Sequence, residues 1–179
     1  RFTFNPHLEQ FREKYTIQFT VDDTIATVSQ TITFEIAAQV SPLFEFDRSD
    51  DYQGWTAAQH IDFLEVENGV LKGVCTGNDP ILTRTGLHID TFSQNQMVIR
   101  ALMNTASPID VFFITEDWEF VGPVTLSVQD DAKMATYAAD LRNLFPHPRY
   151  IQTIRLDPGL IPNVFQIDFI GFLETGIPT

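Results

Sequence analysis

The sequence predicts an all-β protein built on an antiparallel sandwich, and three observations carry that expectation. Nearly every patterned stretch alternates with period two and is rich in Thr, Ile, Val and Phe, the spacing that sends successive side chains to opposite faces of a strand. Helical periodicity is weak throughout. Apolar residues make up 44% of the 179 residues and Phe alone supplies 16, enough for one real core plus a small appendage.

In chain order, Tyr15–Val21 (YTIQFTV) and Thr24–Ile36 (TIATVSQTITFEI) form the first strand pair. Ala37–Pro42 (AAQVSP), short, polar and Pro-containing, reads as a bridge. It separates residues 1–40 from a second domain spanning 43–173. Two strands cannot bury both of their faces, and an isolated hairpin is marginal in water. The first piece is therefore expected to be the tail of an upstream domain, or to dock on the second domain or on a neighbouring chain. Arg1–Pro6 carries no initiator Met, basic segment or apolar leader, which reads as part of something longer.

Past the bridge, Asn68-Gly69 tolerates the positive φ of a type I′ turn and is flanked by alternating residues. Pairing outward sets Val66 opposite Leu71 and Glu65 opposite Lys72, with Leu64, Val66 and Leu71 on the core side. Gln96–Asn104, Ile109–Thr115, Pro123–Val128, Tyr150–Leu156 and Asn163–Leu173 continue the alternation. With about nine strands in 43–173, this domain has the content of one complete sandwich. Met134–Leu144 (MATYAADLRNL) fits a helix or a strand and loop equally. Trp55, in the Gly54-Trp55 corner, is expected in the core.

Charge narrows the function. With 24 acidic against 11 basic residues the net charge is −13. Nucleic acid is a poor partner for such a chain, because phosphate binding rests on Lys and Arg, and anionic membrane surfaces are disfavoured likewise. No stretch approaches the ~20 apolar residues of a membrane-spanning helix, so no membrane insertion is expected. The single Cys75 forms no intrachain disulfide and reads as a small buried thiol. His7, His60, His88 and His147 lack zinc-site spacing, and no Ser sits in a nucleophile elbow. Carboxylate pairs are plentiful, but none is singled out for glycoside hydrolysis. The chain is read as non-enzymatic.

Two constellations remain. The loop Glu45-Phe46-Asp47-Arg48-Ser49-Asp50-Asp51 clusters the hard oxygen donors that calcium needs. Asp168, set among Phe165, Ile167, Phe169 and Ile170, needs a partner in so apolar a strand; calcium, Arg155 and backbone amides are the alternatives. Arg100 and Arg155 lie on strands and offer planar donors to sugar hydroxyls or carboxylates if both project onto one concave face. Glu116 and Trp118 end a strand, where binding groups cluster. Trp118 or Tyr137 is suited to stacking on a pyranose ring, Trp118 equally to plugging the rim.

Two resemblances sharpen these expectations. Tyr15–Ile36, with Val21-Asp22-Asp23 as an acidic turn before a Thr-rich strand, resembles the last two strands of cadherin-like or immunoglobulin-like repeats of bacterial surface proteins. Leu43–Trp55, Val66–Pro80, Met97–Leu102, Ile154–Pro158 and Val164–Ile170, in that order, resemble the galactose-binding-like β-sandwich modules of secreted bacterial polysaccharide-active and adhesive proteins. That likeness implies a jelly roll, an extracellular or cell-surface setting, a glycan or polysaccharide partner and a structural calcium ion. It implies that Asp168 shares the ion with Glu45 or Asp47. The expected function is a non-catalytic carbohydrate-binding module, with Arg100, Glu116, Trp118, Tyr137 and Arg155 as ligand-binding residues. The alternative is a structural or adhesive subunit of a filament or surface layer, joined to neighbouring subunits through residues 1–40 by edge-strand addition.

Overall fold

A computed structural model of the chain describes residues 14–22, 27–35, 40–129, 133–160 and 162–174, and every regular element among them is a strand. The chain divides into two compact units, Arg1–Gln39 and Val40–Thr179.

The first unit contains β1 (Lys14–Asp22) and β2 (Thr27–Glu35), paired antiparallel from Lys14↔Glu35 to Asp22↔Thr27. One face carries hydroxyl pairs, Thr16 with Thr33 at 3.2 Å and Thr20 with Ser29 at 3.1 Å. The other carries the Ile17↔Ile32 pair, with both residues exposed.

The second unit holds β3 (Val40–Glu45), β4 (Trp55–Gln59), β5 (Ile61–Glu67), β6 (Val70–Cys75), β7 (Ile81–Arg84), β8 (Ile89–Asp90) and β9 (Gln96–Met103). These are followed by β10 (Ile109–Thr115), β11 (Phe120–Leu126), β12 (Ala135–Asp140), β13 (Tyr150–Asp157) and β14 (Asn163–Leu173). One sheet runs β12-β9-β14-β6-β5, with β3 also on β14; the other runs β11-β10-β13-β7-β4, with β8 on β13. All pairings are antiparallel. From β8 onward the chain switches repeatedly between the layers, a jelly-roll arrangement. The last two strands, β13 and β14, occupy the middle of the two sheets.

The strands fall where the alternation places them, and the Asn68-Gly69 hairpin forms in the expected register. Glu65 faces Lys72 and Val66 faces Leu71, with φ of 54° at Asn68 and 80° at Gly69. Lys72 Nζ reaches Glu65 at 3.0 Å and Glu67 at 2.6 Å. Val66 and Leu71 are buried, and Leu64 packs against the core. Met134–Leu144 resolves as strand β12 and a following turn rather than a helix. β3 begins at Val40, opposite Leu173, inside the stretch expected as a bridge, whose first residues Ala37–Gln39 lie outside the described ones. Pro42 weakens the strand signal there, yet a strand flanked on one side tolerates its missing N–H.

Trp55, Phe113, Phe165 and Phe172 are fully buried between the layers, each worth about 1.5–3 kcal/mol in apolar burial. Along β14 the alternation is broken. Against β9, Ile167 faces Ala101 and the next paired residue, Phe169, faces Arg100, so Asp168 is the extra residue of a bulge. Phe165, Ile167, Ile170 and Phe172 pack together in the central core, and Phe169, also fully buried, stands opposite Arg100 and Glu45.

Candidate functional site

The outer face of the β11-β10-β13-β7-β4 sheet follows from alternation along β10 and, in β13, from alternation past a register shift opposite Ile114 and Thr115. Ile109, Val111, Phe113 and Thr115 of β10 are buried, as are Ile151, Ile154 and Leu156 of β13. That turns Asp110, Phe112, Arg155 and Asp157 outward. Cross-strand register then lines Phe112, Arg155, Thr83 and Thr56 in one row across four strands, with the two threonine hydroxyls 3.1 Å apart.

Arg155 organises this face. Its guanidinium donates to both oxygens of Asp157, from Nε at 2.8 Å and Nη2 at 2.7 Å, and from Nη2 to Asp79 at 2.5 Å. Its Cζ lies 5.1 Å from the Phe112 ring centroid, a cation–π distance. The hydrogen bond to Asp157 is the leading reason that its pKa is raised above the ordinary guanidinium value, and the two carboxylates fix the fork in place. Phe112 in turn stacks on Phe120, with centroids 5.1 Å apart and planes at 20°; Phe120 is 56% exposed. The result is an open apolar platform beside a rigid array of donors and acceptors.

Asp110 lies directly opposite Asp157 on the neighbouring strand, where two carboxylates repel. Each has its own donor: Arg155 for Asp157 and Thr125 Oγ1, at 2.6 Å, for Asp110. With Asp79, Pro80, Pro108 and Leu160 they line a cleft of about 310 Å³ at this end of the face. Three carboxylates around one guanidinium leave it net negative. At the opposite end of β13, Tyr150 stacks on His88 at 4.1 Å and 9°. Burial of Ile151 and Ile89 turns both rings outward. Between Tyr150 and Asp157, the ends of the eight-residue β13, lie roughly 23 Å at ~3.3 Å per residue.

The expected ligand-binding residues do not converge. Arg100 and Arg155 share no face, because β9 and β13 belong to different sheets. Arg100 Nη1 instead donates to Asp168 Oδ2 at 3.1 Å, so the partner of Asp168 is Arg100 and not Arg155. Tyr137 stands opposite Ile99, packs half-buried against the core and accepts from Gln129 N–H at 3.4 Å, on the other sheet from Arg155. Glu116 accepts the Tyr150 N–H at 2.7 Å and so braces the start of β13. Trp118 is 81% exposed on the β10–β11 turn, which corrects the rim-plug alternative, with its N–H on Thr115 O at 2.9 Å.

The residues expected to hold calcium lie along β3, the loop after it and β14. Glu45 lies opposite Phe169, while the bulge commits Asp168 to Arg100. Among the described residues no group of three or more His, Cys, Asp or Glu is arranged to hold a metal. The residues that sequence reasoning missed are Asp79, Asp110, Phe112, Phe120 and Asp157. The alternation of IDVFFIT and IRLD carried the signal for Asp110, Phe112 and Asp157; nothing local marked Asp79 or Phe120.

No protein-family model matches the sequence, and no curated protein does. Solved structures similar to this chain include CsCBM6-3 from Clostridium stercorarium in complex with cellobiose, at 12% identity and a TM-score of 0.47, covering 74% of this chain and 93% of that one. The N-terminal cellulose-binding domain of Cellulomonas fimi β-1,4-glucanase C matches at 12% and 0.45, over 75% and 95%. The mannan-recognising module TmCBM27 matches at 9% and 0.42, over 76% and 98%. With TM-scores below 0.5, these likenesses assign no ligand to this chain.

Proposed function

We propose that the second unit is a non-catalytic carbohydrate-binding module that holds a neutral polysaccharide along the outer face of the β11-β10-β13-β7-β4 sheet. The observation that carries this reading is Arg155, clamped by Asp157 and Asp79 over Phe112, with Phe120 stacked beyond. Sugar rings pair apolar C–H faces with fans of hydroxyls. The Phe112–Phe120 platform suits the first and the Arg155–Asp157–Asp79 array the second, without costly ordering on binding. The length of β13 suits several linked rings. The surplus of carboxylates disfavours uronic acid and sulfated chains. The face is open, whereas substrates for chemistry are usually enclosed. On this reading the protein works outside the cell, and β1–β2 is the end of an immunoglobulin-like or cadherin-like module in a larger secreted or surface protein.

Affinity electrophoresis against soluble β-glucan, mannan and polygalacturonate tests the proposal. A neutral polymer should retard the protein, polygalacturonate should not, and Phe120→Ala should abolish the retardation while leaving the melting temperature in place. No retardation by any neutral polymer, or equal retardation of the variant, would overturn it. The exposed Ile17↔Ile32 pair favours a second reading, self-assembly through β1–β2. Light scattering that finds the intact chain monomeric at high concentration would discard that alternative.

A further inference from the structure

Thr115 ends β10 with its side chain turned inward; it is fully buried, and its Oγ1 meets no hydrogen-bond partner. Burying a hydroxyl unmet is costly, so a ligand or water that reaches it gains what the fold leaves unused. Thr115 lines a pocket of about 120 Å³, with room for several waters. Its walls are Val121, Leu144, Phe145 and Pro146. Phe145 is locked edge-on against Phe113, at 5.7 Å and 68°, and its N–H is bound to Leu141 O at 2.8 Å, so the pocket is preformed. His147 completes the lining beside Glu119 and Arg149, which lie 3.4 Å apart and contribute the charged side, and Arg149 also holds Asp117 at 2.7 Å.

We propose that this pocket is a second binding site and that it takes an acetamido group of the kind N-acetylated amino sugars carry. The methyl packs on the apolar walls, the carbonyl accepts the Thr115 hydroxyl proton, and the amide N–H donates to the Glu119 carboxylate. A carboxylate ligand would meet the Glu119 and Asp117 carboxylates, to which Arg149 is already committed, and an ammonium group would lie against apolar walls. Trp118, adjacent to Glu119 and open to solvent, is placed for contact with the attached ring. None of these residues belongs to the Arg155–Phe112–Phe120 face, so the two sites can fail separately.

The test is a titration of ¹⁵N-labelled protein with methyl N-acetyl-β-D-glucosaminide, with methyl β-D-glucoside as the control. The N-acetyl glycoside should shift the amides of Thr115, Glu119 and Phe145, and the glucoside should leave them in place. Thr115→Val keeps the shape and removes the hydroxyl. It should weaken binding about five- to tenfold and melt no lower than the parent, because the lost group had no partner. Val121→Phe, which fills the pocket, should abolish the shifts while polysaccharide retention on the outer face persists. Equal shifts from the glucoside, unchanged affinity in Thr115→Val, or no shifts from the N-acetyl glycoside (a pocket holding water only) would each overturn the proposal.

Discussion

Replacing Arg155 with Met keeps an unbranched stem over Phe112 and removes only the charged fork. The Arg155 and Asp157 side chains are 25% and 17% exposed, and Asp79 is 51% exposed. The bidentate pair with Asp157 therefore contributes about 2 kcal/mol, at the lower end for charge-assisted bonds because of its partial exposure. The Asp79 bond adds less than about 0.5 kcal/mol at its exposure. Without Arg155, the Asp110–Asp157 repulsion goes uncompensated for up to about 0.5 kcal/mol more. Arg155→Met should thus cost about 2–3 kcal/mol, a drop in melting temperature of roughly 8–12 °C for a unit of this size. Urea denaturation of the parent, Arg155→Met, Asp157→Asn and the double variant gives the coupling, expected at about 1.5–2 kcal/mol. Arg155→Lys, which keeps charge without the fork, should recover less than half of the loss. A coupling below about 0.3 kcal/mol, indistinguishable from additivity, would refute the clamp and remove the preorganisation on which the proposed glycan face depends.

Other outcomes follow from the same geometry. Asp168→Ala should cost about 1–2 kcal/mol in urea denaturation by leaving the one-third-exposed Arg100 without its carboxylate; an unchanged midpoint would show that the bulge does not serve the pair. Gly69→Ala forces a side chain into φ of 80° and should cost about 1 kcal/mol, whereas Asn68→Gly should be nearly neutral. Burial pushes the Cys75 thiol up to about 11 from 9.0. Below pH 9 both folded and unfolded chains hold that proton; between 9 and 11 the unfolded chain releases it first, so stability falls as pH rises, by about 2–3 kcal/mol in total. Cys75→Val should remove that alkaline slope, and persistence of the full slope in the variant would contradict the assignment.

Local rules made the strands legible and left their neighbours obscure. Period-two alternation is a property of adjacent residues, so β9, β10, β13 and β14 are visible in QMVIRALM, IDVFFIT, YIQTIRLD and NVFQIDFIGFL. Asn68-Gly69 specified its own register because a two-residue turn leaves no other. Which layer a strand joins depends on partners tens of residues away. Arg100 and Arg155 therefore look alike in sequence and end on different sheets. The bulge at Asp168 inserts one residue without any compositional mark, and it sets Asp168 beside Arg100. Half of the outer-face site was readable from phase alone; its grouping around Arg155 was not, since Asp79 arrives from the loop before β7.

The placement of β13 and β14 in the middle of both sheets bears on how the chain is made. Ribosomal synthesis delivers these hubs after every strand they must join. Until residue 173 has emerged, β6 and β9 lack the strand that lies between them, as do β7 and β10 until residue 157. The nascent sandwich must wait with open edges, a state prone to mispairing. A premature stop before Asn163 would remove the seam of one layer rather than its border, leaving a product fit for degradation instead of a shortened but working domain.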